Sequence, residues 1–279
     1  MKFAQFYDKN RIRIGLIEAD SLLPIDFDGD MIDFIQSGTR PESTGEPVPL
    51  DKIKWATPVT RPSKIIAIGL NYQDHADESK GKVPEAPLLF AKFPNSLNGH
   101  NGLVTWNVAV TKKVDFEAEL AVIIGKKIHD CPENKAPEVI FGYSCANDIS
   151  ARDLQFGDKQ WVRGKSLDTF CPLGPWIITA DEIPDPHSLK IRCRLNDHLM
   201  QDSHTGKMIF KIPFLVSFIS RHFTLFPGDI ILTGTPSGVG VFRKPSVYLK
   251  NGDEVTVEIE GVGQLVNRCK TFENLSSSR

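Results

Sequence analysis

The sequence has no run of 18 apolar residues, so no membrane-spanning helix is expected. It has no Cys-x-x-Cys pair. Its five cysteines (Cys131, Cys145, Cys171, Cys193 and Cys269) are scattered and odd in number. That argues against a disulfide framework or a zinc knuckle and suits a reducing, cytoplasmic compartment. It has no surplus charge: 33 basic against 35 acidic residues give a net charge of −2. Neither nucleic acid nor an acidic membrane surface is therefore an expected partner. The opening MKFAQFYDKNRIRIG is too charged for a signal peptide. There is no repeat of 20–50 residues, no low-complexity stretch, and neither Gly-x-Gly-x-x-Gly nor a Walker loop.

What is present is an ordinary globular composition, 41% hydrophobic and 24% charged over 279 residues. With 21 glycines and 19 prolines, turns are frequent and strands favoured. Residues 1–60 read as a small α/β unit, with strands at Met1–Phe6 and Ile12–Ile17 and a helix near Asp30–Gln36. The polar segment Ser37–Pro49 reads as a loop, and a boundary falls near Pro58–Pro62. Residues 61–279 form the second unit. Its strands are predicted at Lys64–Gly69, Leu88–Phe93, Phe116–Gly125, Val139–Asp148, Pro172–Thr179, Leu189–Leu195, Asp229–Thr233, Ser246–Leu249 and Glu254–Ile259. Helices are few: Asn71–Lys80, Ala151–Phe156 and Ile212–His222, the last with apolar spacing near 3.6. Strands dominate without alternating with long helices, so the fold class is β-rich α+β, a β-sandwich or roll with peripheral helices.

Acidic residues in Asp115-Phe116-Glu117-Ala118-Glu119 sit at every second position. On a strand, Glu117 and Glu119 project side by side. Two anions beside a buried strand repel unless a cation compensates them. Asp148, at the end of a second strand, completes three hard oxygen ligands of the kind Mg²⁺, Mn²⁺ or Ca²⁺ prefers. Taken alone, Glu-x-Glu marks a solvated strand face more often than a metal seat. His75 and Glu78 are i,i+3 neighbours on a helix, where a carboxylate can orient an imidazole as a base. The Gly- and Pro-containing stretch that follows would let this turn belong to a lid. Such pairs are also common on exposed helices. Arg152 and Gln155 share the spacing just past Asp148 and could bind a substrate carboxylate, Arg152 in two-pronged fashion. Lys165 could neutralise an enolate. In Thr233–Gly240 (TGTPSGVG), backbone N–H groups and the Thr235 hydroxyl could cradle an anion.

Together, IGLNYQDHADE, FEAELAVIIGK, GYSCANDISARDLQ, RGKSLDTFCPLGPW and LTGTPSGVG, in this order, resemble the fumarylacetoacetate hydrolase family. The resemblance runs from Ile68 to Gly240 and thinly to Lys270, with residues 1–60 like the small extension of the bacterial-type branch. It implies a mixed β-sandwich roll, a homodimer, and one Mg²⁺ or Mn²⁺ per subunit. It also implies a metal triad of Glu117, Glu119 and Asp148, a lid dyad of His75 and Glu78, and an enolate-stabilising Lys165. Arg152, Gln155 and Thr235 match residues that grip the oxo-acid head. The implied activity is metal-dependent hydrolysis of a C–C bond in a 1,3-dicarbonyl oxo-acid. The alternatives are oxaloacetate decarboxylation and isomerisation or decarboxylation of 2-hydroxyhepta-2,4-diene-1,7-dioate. A Schiff-base lyase using Lys165 would leave the carboxylate cluster without a role, and a non-enzymatic binder would leave dyad and triad without one. Phe93 and the segment Asn98–Gly102 depart from the family pattern where substrate selectivity could be set.

Overall fold

The run ELAVIIG alternates in space although it does not alternate in polarity. In the strand Ala118–Ile124, Leu120, Val122 and Ile124 pack into one apolar cluster, and Ala121 and Ile123 into another. A strand covered on both faces needs apolar residues at every position, hence the unbroken run. The computed structural model describes residues 1–9, 11–39 and 41–273. Residues 274–279, at the end of the second unit, lie outside them.

The architecture is β-rich α+β with few helices and open, mixed sheets. An 11-stranded sheet runs from Val48–Pro49 through Ser21–Pro24, Arg11–Glu18, Lys2–Asp8, Cys171–Thr179, Ile140–Asn147, Ala118–Ile124, Ile230–Leu232 and Ile65–Gly69 to Leu88–Lys92 at the edge, with Leu97–Asn98 as the eleventh strand, paired to Cys171–Thr179 off this path. Its Ile230–Leu232 and Ile65–Gly69 strands are parallel; most other pairs are antiparallel. A five-stranded sheet (His198–His204, Lys190–Leu195, Glu254–Ile259, Gly263–Phe272, Leu103–Asn107) packs against one face. Between the two lies the larger core, with Leu120, Val122 and Cys145 against Cys193, Val257 and Leu265.

Residues 1–60 join this sheet directly, because Lys2–Asp8 pairs antiparallel with Cys171–Thr179. Their helix, Met31–Ser37, starts at an Asp30 capping box and ends at Gly38 in the left-handed region. It lays Met31, Phe34 and Ile35 over the second face of the sheet, beside Ile123 and Ile230.

Helices Gln73–Ser79, Arg152–Gly157 and Ile212–His222 form near their predicted positions. The strand expected at Ser246–Leu249 does not form. Val247 and Leu249 instead donate to the carbonyls of Gly240 and Val114 in a loop. Several short strands were not predicted, among them Ser21–Pro24 and Val48–Pro49, the latter at the end of the segment read as a loop; in the five-stranded sheet, three strands carried too weak a signal. His198–His204 buries Gln201 and Ser203, and Gly263–Phe272 buries Asn267 between Leu265 and Cys269, so their inward faces do not read as hydrophobic. Leu103–Asn107 is short, with only Val104 and Trp106 inward. No helix among the described residues is long and apolar enough to cross a membrane.

His100 couples three parts of the chain. Its Nδ1 accepts the Val266 N–H at 3.1 Å, and its ring meets Trp55 edge-on at 5.4 Å. Burial lowers its pKa from 6.5 to about 4. Between those values the unfolded chain binds a proton that the native chain does not, so stability falls as pH drops. At pH 4.5 the loss from this residue is roughly 2–3 kcal/mol relative to pH 7. Urea unfolding at both pH values should show that His100→Gln loses less stability on acidification than the parent. An equal loss in both proteins would refute the assignment.

Candidate active site

Each proposed acidic ligand is placed by the pairing of two central strands. Glu119 stands opposite Ala146 on Ile140–Asn147, and Glu117 precedes the Ala118–Ile124 strand with its N–H held by Asn147 Oδ1 at 3.0 Å. Asp148 follows Ile140–Asn147 and donates its own N–H to the Glu117 carbonyl at 2.9 Å. The three side chains converge: one oxygen from each lies within 4.8 Å of the other two, and all three are buried. The solvated alternative for Glu-x-Glu is thereby removed.

Three cations enter the same buried volume. Lys165, at the end of the helical turn Val162–Lys165, places Nζ 2.6 Å from both Glu117 Oε2 and Asp148 Oδ2. Arg152 Nη2 lies 2.7 Å from Glu117 Oε1 and 2.8 Å from Asp115 Oδ2, and its Nε donates to Asp115 at 2.9 Å. Lys92 Nζ lies 2.6 Å from Asp148 Oδ1.

These contacts set the ionisation pattern. Burial opposes the charge on Glu117, but Lys165 and Arg152 outweigh it and hold its pKa far below the ordinary glutamate value. Burial likewise opposes the charge on Lys165, and Asp148 with Glu117 outweighs it, raising that pKa. Glu119 goes the other way. Burial, then Asp148, then Glu117 push its pKa well up, and its direct partner is the neutral Gly234 N–H at 2.7 Å.

The donor set fits a hard divalent cation. It offers oxygen only, comes from two adjacent strands, and includes one carboxylate with no cationic side chain bonded to it. Asp115, Glu117 and Asp148 are matched by Lys92, Arg152 and Lys165, so the cluster falls one positive charge short only when Glu119 is ionised, in keeping with its raised pKa.

The glycine loop cradles anions, but they are the protein's own. Gly234 N–H serves Glu119, Gly238 N–H serves both oxygens of Glu78 at 3.0 and 3.1 Å, and Gly240 and Val241 N–H groups serve Asp115 at 2.8 and 3.0 Å. At Gly240 a Cβ would stand 1.9 Å from the Val247 carbonyl and 2.6 Å from Asp115 Oδ1, so only glycine brings this N–H close enough. Thr235 is similarly engaged: its hydroxyl donates to the Ala118 carbonyl at 2.9 Å and accepts from Gln201 Nε2 at 2.8 Å. It lines the cavity without a free proton to offer a ligand.

His75 and Glu78 are brought together without a hydrogen bond between them: His75 Nδ1 lies 3.4 Å from Glu78 Oε2, buried and without a hydrogen-bond partner, and the imidazole packs beside Phe242 at 5.7 Å. The Gln73–Ser79 helix is docked rather than loose. Ser203 and Lys207 hold Asp74 at 2.6 and 3.1 Å, and Gly238 holds Glu78. A cavity of about 260 Å³ unites His75, Glu117, Glu119, Arg152, Gln155, Lys165 and Thr235, walled by Phe90, Trp161 and Phe242. Glu78 stands behind His75.

The expected two-pronged grip of Arg152 is not available in this arrangement. Its Nε and Nη2 are turned onto Asp115 and Glu117, and one Nη1 hydrogen goes to Gln155 Oε1 at 2.9 Å. A buried guanidinium needs compensating anions, and these were nearer than any ligand. Asp115 and Lys92 were not singled out in the sequence. The available signals were a third acid in the alternating series and a lysine inside the apolar run LLFAKF.

Residues 64–270 match the family model described as fumarylacetoacetate (FAA) hydrolase C-terminal, and residues 1–58 match the model described as Rv2993c-like, N-terminal. The chain is 44% identical over 265 residues to a Bos taurus protein named oxaloacetate tautomerase FAHD2B, mitochondrial, covering 91% of this chain and 83% of that one. Among solved structures, it is similar to a fumarylacetoacetate hydrolase from psychrophilic Exiguobacterium antarcticum (37% identity, TM-score 0.88, 98% of this chain and 100% of that one). It is also similar to a 5-carboxymethyl-2-hydroxymuconate delta-isomerase from Mycobacterium smegmatis (35% identity, TM-score 0.83, the same coverage). A match over most of its length, on a shared fold, with the buried acidic triad in place, establishes that this chain belongs to the fumarylacetoacetate hydrolase family.

Proposed function

We propose that this enzyme moves a proton between the enol oxygen and the adjacent carbon of a short oxo-diacid, as a tautomerase of oxaloacetate-type substrates. A Mg²⁺ or Mn²⁺ ion on Glu117, Glu119 and Asp148 is part of the proposal. The observation that carries it is the position of His75, with Glu78 behind it, on the wall of a small cavity shared with Lys165, Glu117 and Glu119. At about 260 Å³ the cavity lies at the small end of ligand sites, roughly 300–1,000 Å³, and suits a short diacid. The name of the bovine relative, an oxaloacetate tautomerase, supports the same reading.

A divalent ion on the triad supplies Lewis acidity toward the oxo-acid. In the ketonising direction, a proton leaves the enol oxygen and one arrives at the neighbouring carbon. His75 is placed to carry it, and Glu78 offsets the imidazolium charge in transit. No net proton is consumed. Lys165 has three N–H donors, of which Glu117 and Asp148 take two, leaving one for the enolate oxygen. The Gln155 amide and the remaining Arg152 N–H face the same cavity and suit a carboxylate. Phe90 and Trp161 limit water beside the reacting atoms.

C–C hydrolysis of an acylpyruvate is the second reading, favoured by the same dyad, since an imidazole beside a carboxylate can equally deprotonate water. Decarboxylation and dioate isomerisation draw on the same enolate stabilisation. A cytoplasmic homodimer is the proposed working form.

Fresh enol-oxaloacetate, followed by its ultraviolet absorbance with Mg²⁺ or Mn²⁺ present, should ketonise faster with enzyme and release no pyruvate. Cleavage of acetylpyruvate or fumarylpyruvate without any acceleration of ketonisation would decide for hydrolysis. His75→Ala should lower kcat about 10²–10⁴-fold while leaving Mn²⁺ affinity intact; parallel loss of both would overturn its role. Glu119→Ala should abolish Mn²⁺ binding in a direct titration, and full affinity in that variant would remove the triad from the mechanism.

A further inference from the structure

Of the three cations in the cluster, Lys92 is the one that does not line the cavity. Its side chain is fully buried, at the end of the edge strand Leu88–Lys92 and in register with Ile65. Each of its N–H donors has an acceptor. One meets Asp148 Oδ1 at 2.6 Å, one the Ile149 carbonyl at 3.3 Å, and one the Lys165 carbonyl. An ammonium has no fourth N–H, so Lys92 has nothing left to offer a substrate. Its three partners are the third carboxylate of the triad, the residue after it, and the end of the helical turn that carries Lys165. Asp148 is thereby fixed from behind through Oδ1, and its Oδ2 is turned toward Lys165 Nζ at 2.6 Å.

We propose that Lys92 is a positioning residue for the cation seat: it sets the Asp148 carboxylate and the Lys165 turn in a fixed relation, without touching ligand. This rests on the reading of Glu117, Glu119 and Asp148 as that seat. The sign of one measurement separates positioning from simple electrostatics. Lys92 is a positive charge close to the proposed ion, so by Coulomb's law alone its removal strengthens cation binding. Positioning has the opposite consequence. Loss of a partner that orients a metal ligand typically weakens metal affinity by about 10–100-fold.

The test is direct titration of the purified full-length protein with Mn²⁺, following free Mn²⁺ by electron paramagnetic resonance, alongside thermal unfolding of the metal-free protein. Lys92→Met is expected to bind Mn²⁺ about 10–100-fold more weakly than the parent. The control is Lys64→Met, which breaks the Lys64–Asp229 ion pair on the neighbouring strand, away from the cavity. It should lower Tm and leave Mn²⁺ affinity unchanged, so that instability alone is separated from positioning. Unchanged or tighter binding by Lys92→Met overturns the proposal while leaving the seat intact. Absence of Mn²⁺ binding in the parent overturns the seat, and the proposal with it. If Lys92→Met does not yield folded protein, Lys92→Arg decides the matter. It keeps the charge but not the three-point fit, so weaker binding supports positioning and parental affinity refutes it.

Discussion

Taking one carboxylate out of water costs several kcal/mol unless a counter-charge goes with it, and this chain takes out four side by side. Asp115, Glu117, Glu119 and Asp148 are sustained by Lys92, Arg152 and Lys165, with backbone N–H groups making up part of the difference. The fourth carboxyl, Glu119, has a neutral hydrogen-bond partner, and its ionisation is held back by burial and by Asp148 and Glu117. Much of the surrounding structure follows from that imbalance. The glycine loop after Ile230–Leu232 must bring N–H groups close to carboxylates, and the Leu88–Lys92 edge strand must end with its lysine turned inward.

The sheets make such a cluster possible. Strands buried on both faces provide a rigid, dry frame, and Glu117, Glu119 and Asp148 lie where two of them meet their loops. A carboxylate on a mobile loop would be hydrated, and its ionisation would stay ordinary. Here the neighbours push the two glutamates in opposite directions, Glu117 strongly down and Glu119 strongly up. The same frame holds the dyad. The helix Gln73–Ser79 follows a core strand and is tied at Asp74 and Glu78 to segments from far along the chain.

Several groups that looked ready for a ligand are turned inward. The glycine-loop N–H groups, the Thr235 hydroxyl and most of the Arg152 fork serve the protein's own charges. What stays free is narrow: one N–H of Lys165, part of Arg152, the Gln155 amide and the His75 ring. A small oxo-diacid with few polar atoms matches that short inventory better than a long, multiply functional substrate does.

The sequence by itself determined the elements with strong periodicity or continuous apolar runs and the β-rich class, and it offered Glu117, Glu119 and Asp148 as candidates that the family resemblance selected. Alternation places Glu117 beside Glu119, and a strand ending at Asp148 supplies the third acid. It also determined the His75–Glu78 pair, since i,i+3 spacing is a local property of any helix. Tertiary structure alone decided whether those acids face solvent or each other, because Glu-x-Glu reads the same in both cases. It decided which cation meets which anion, since Lys92, Arg152 and Lys165 come from separate segments whose approach no local spacing encodes. It also decided the strands His198–His204 and Gly263–Phe272. Their buried Gln201, Ser203 and Asn267 are inward-facing only because distant backbone and side-chain partners satisfy them.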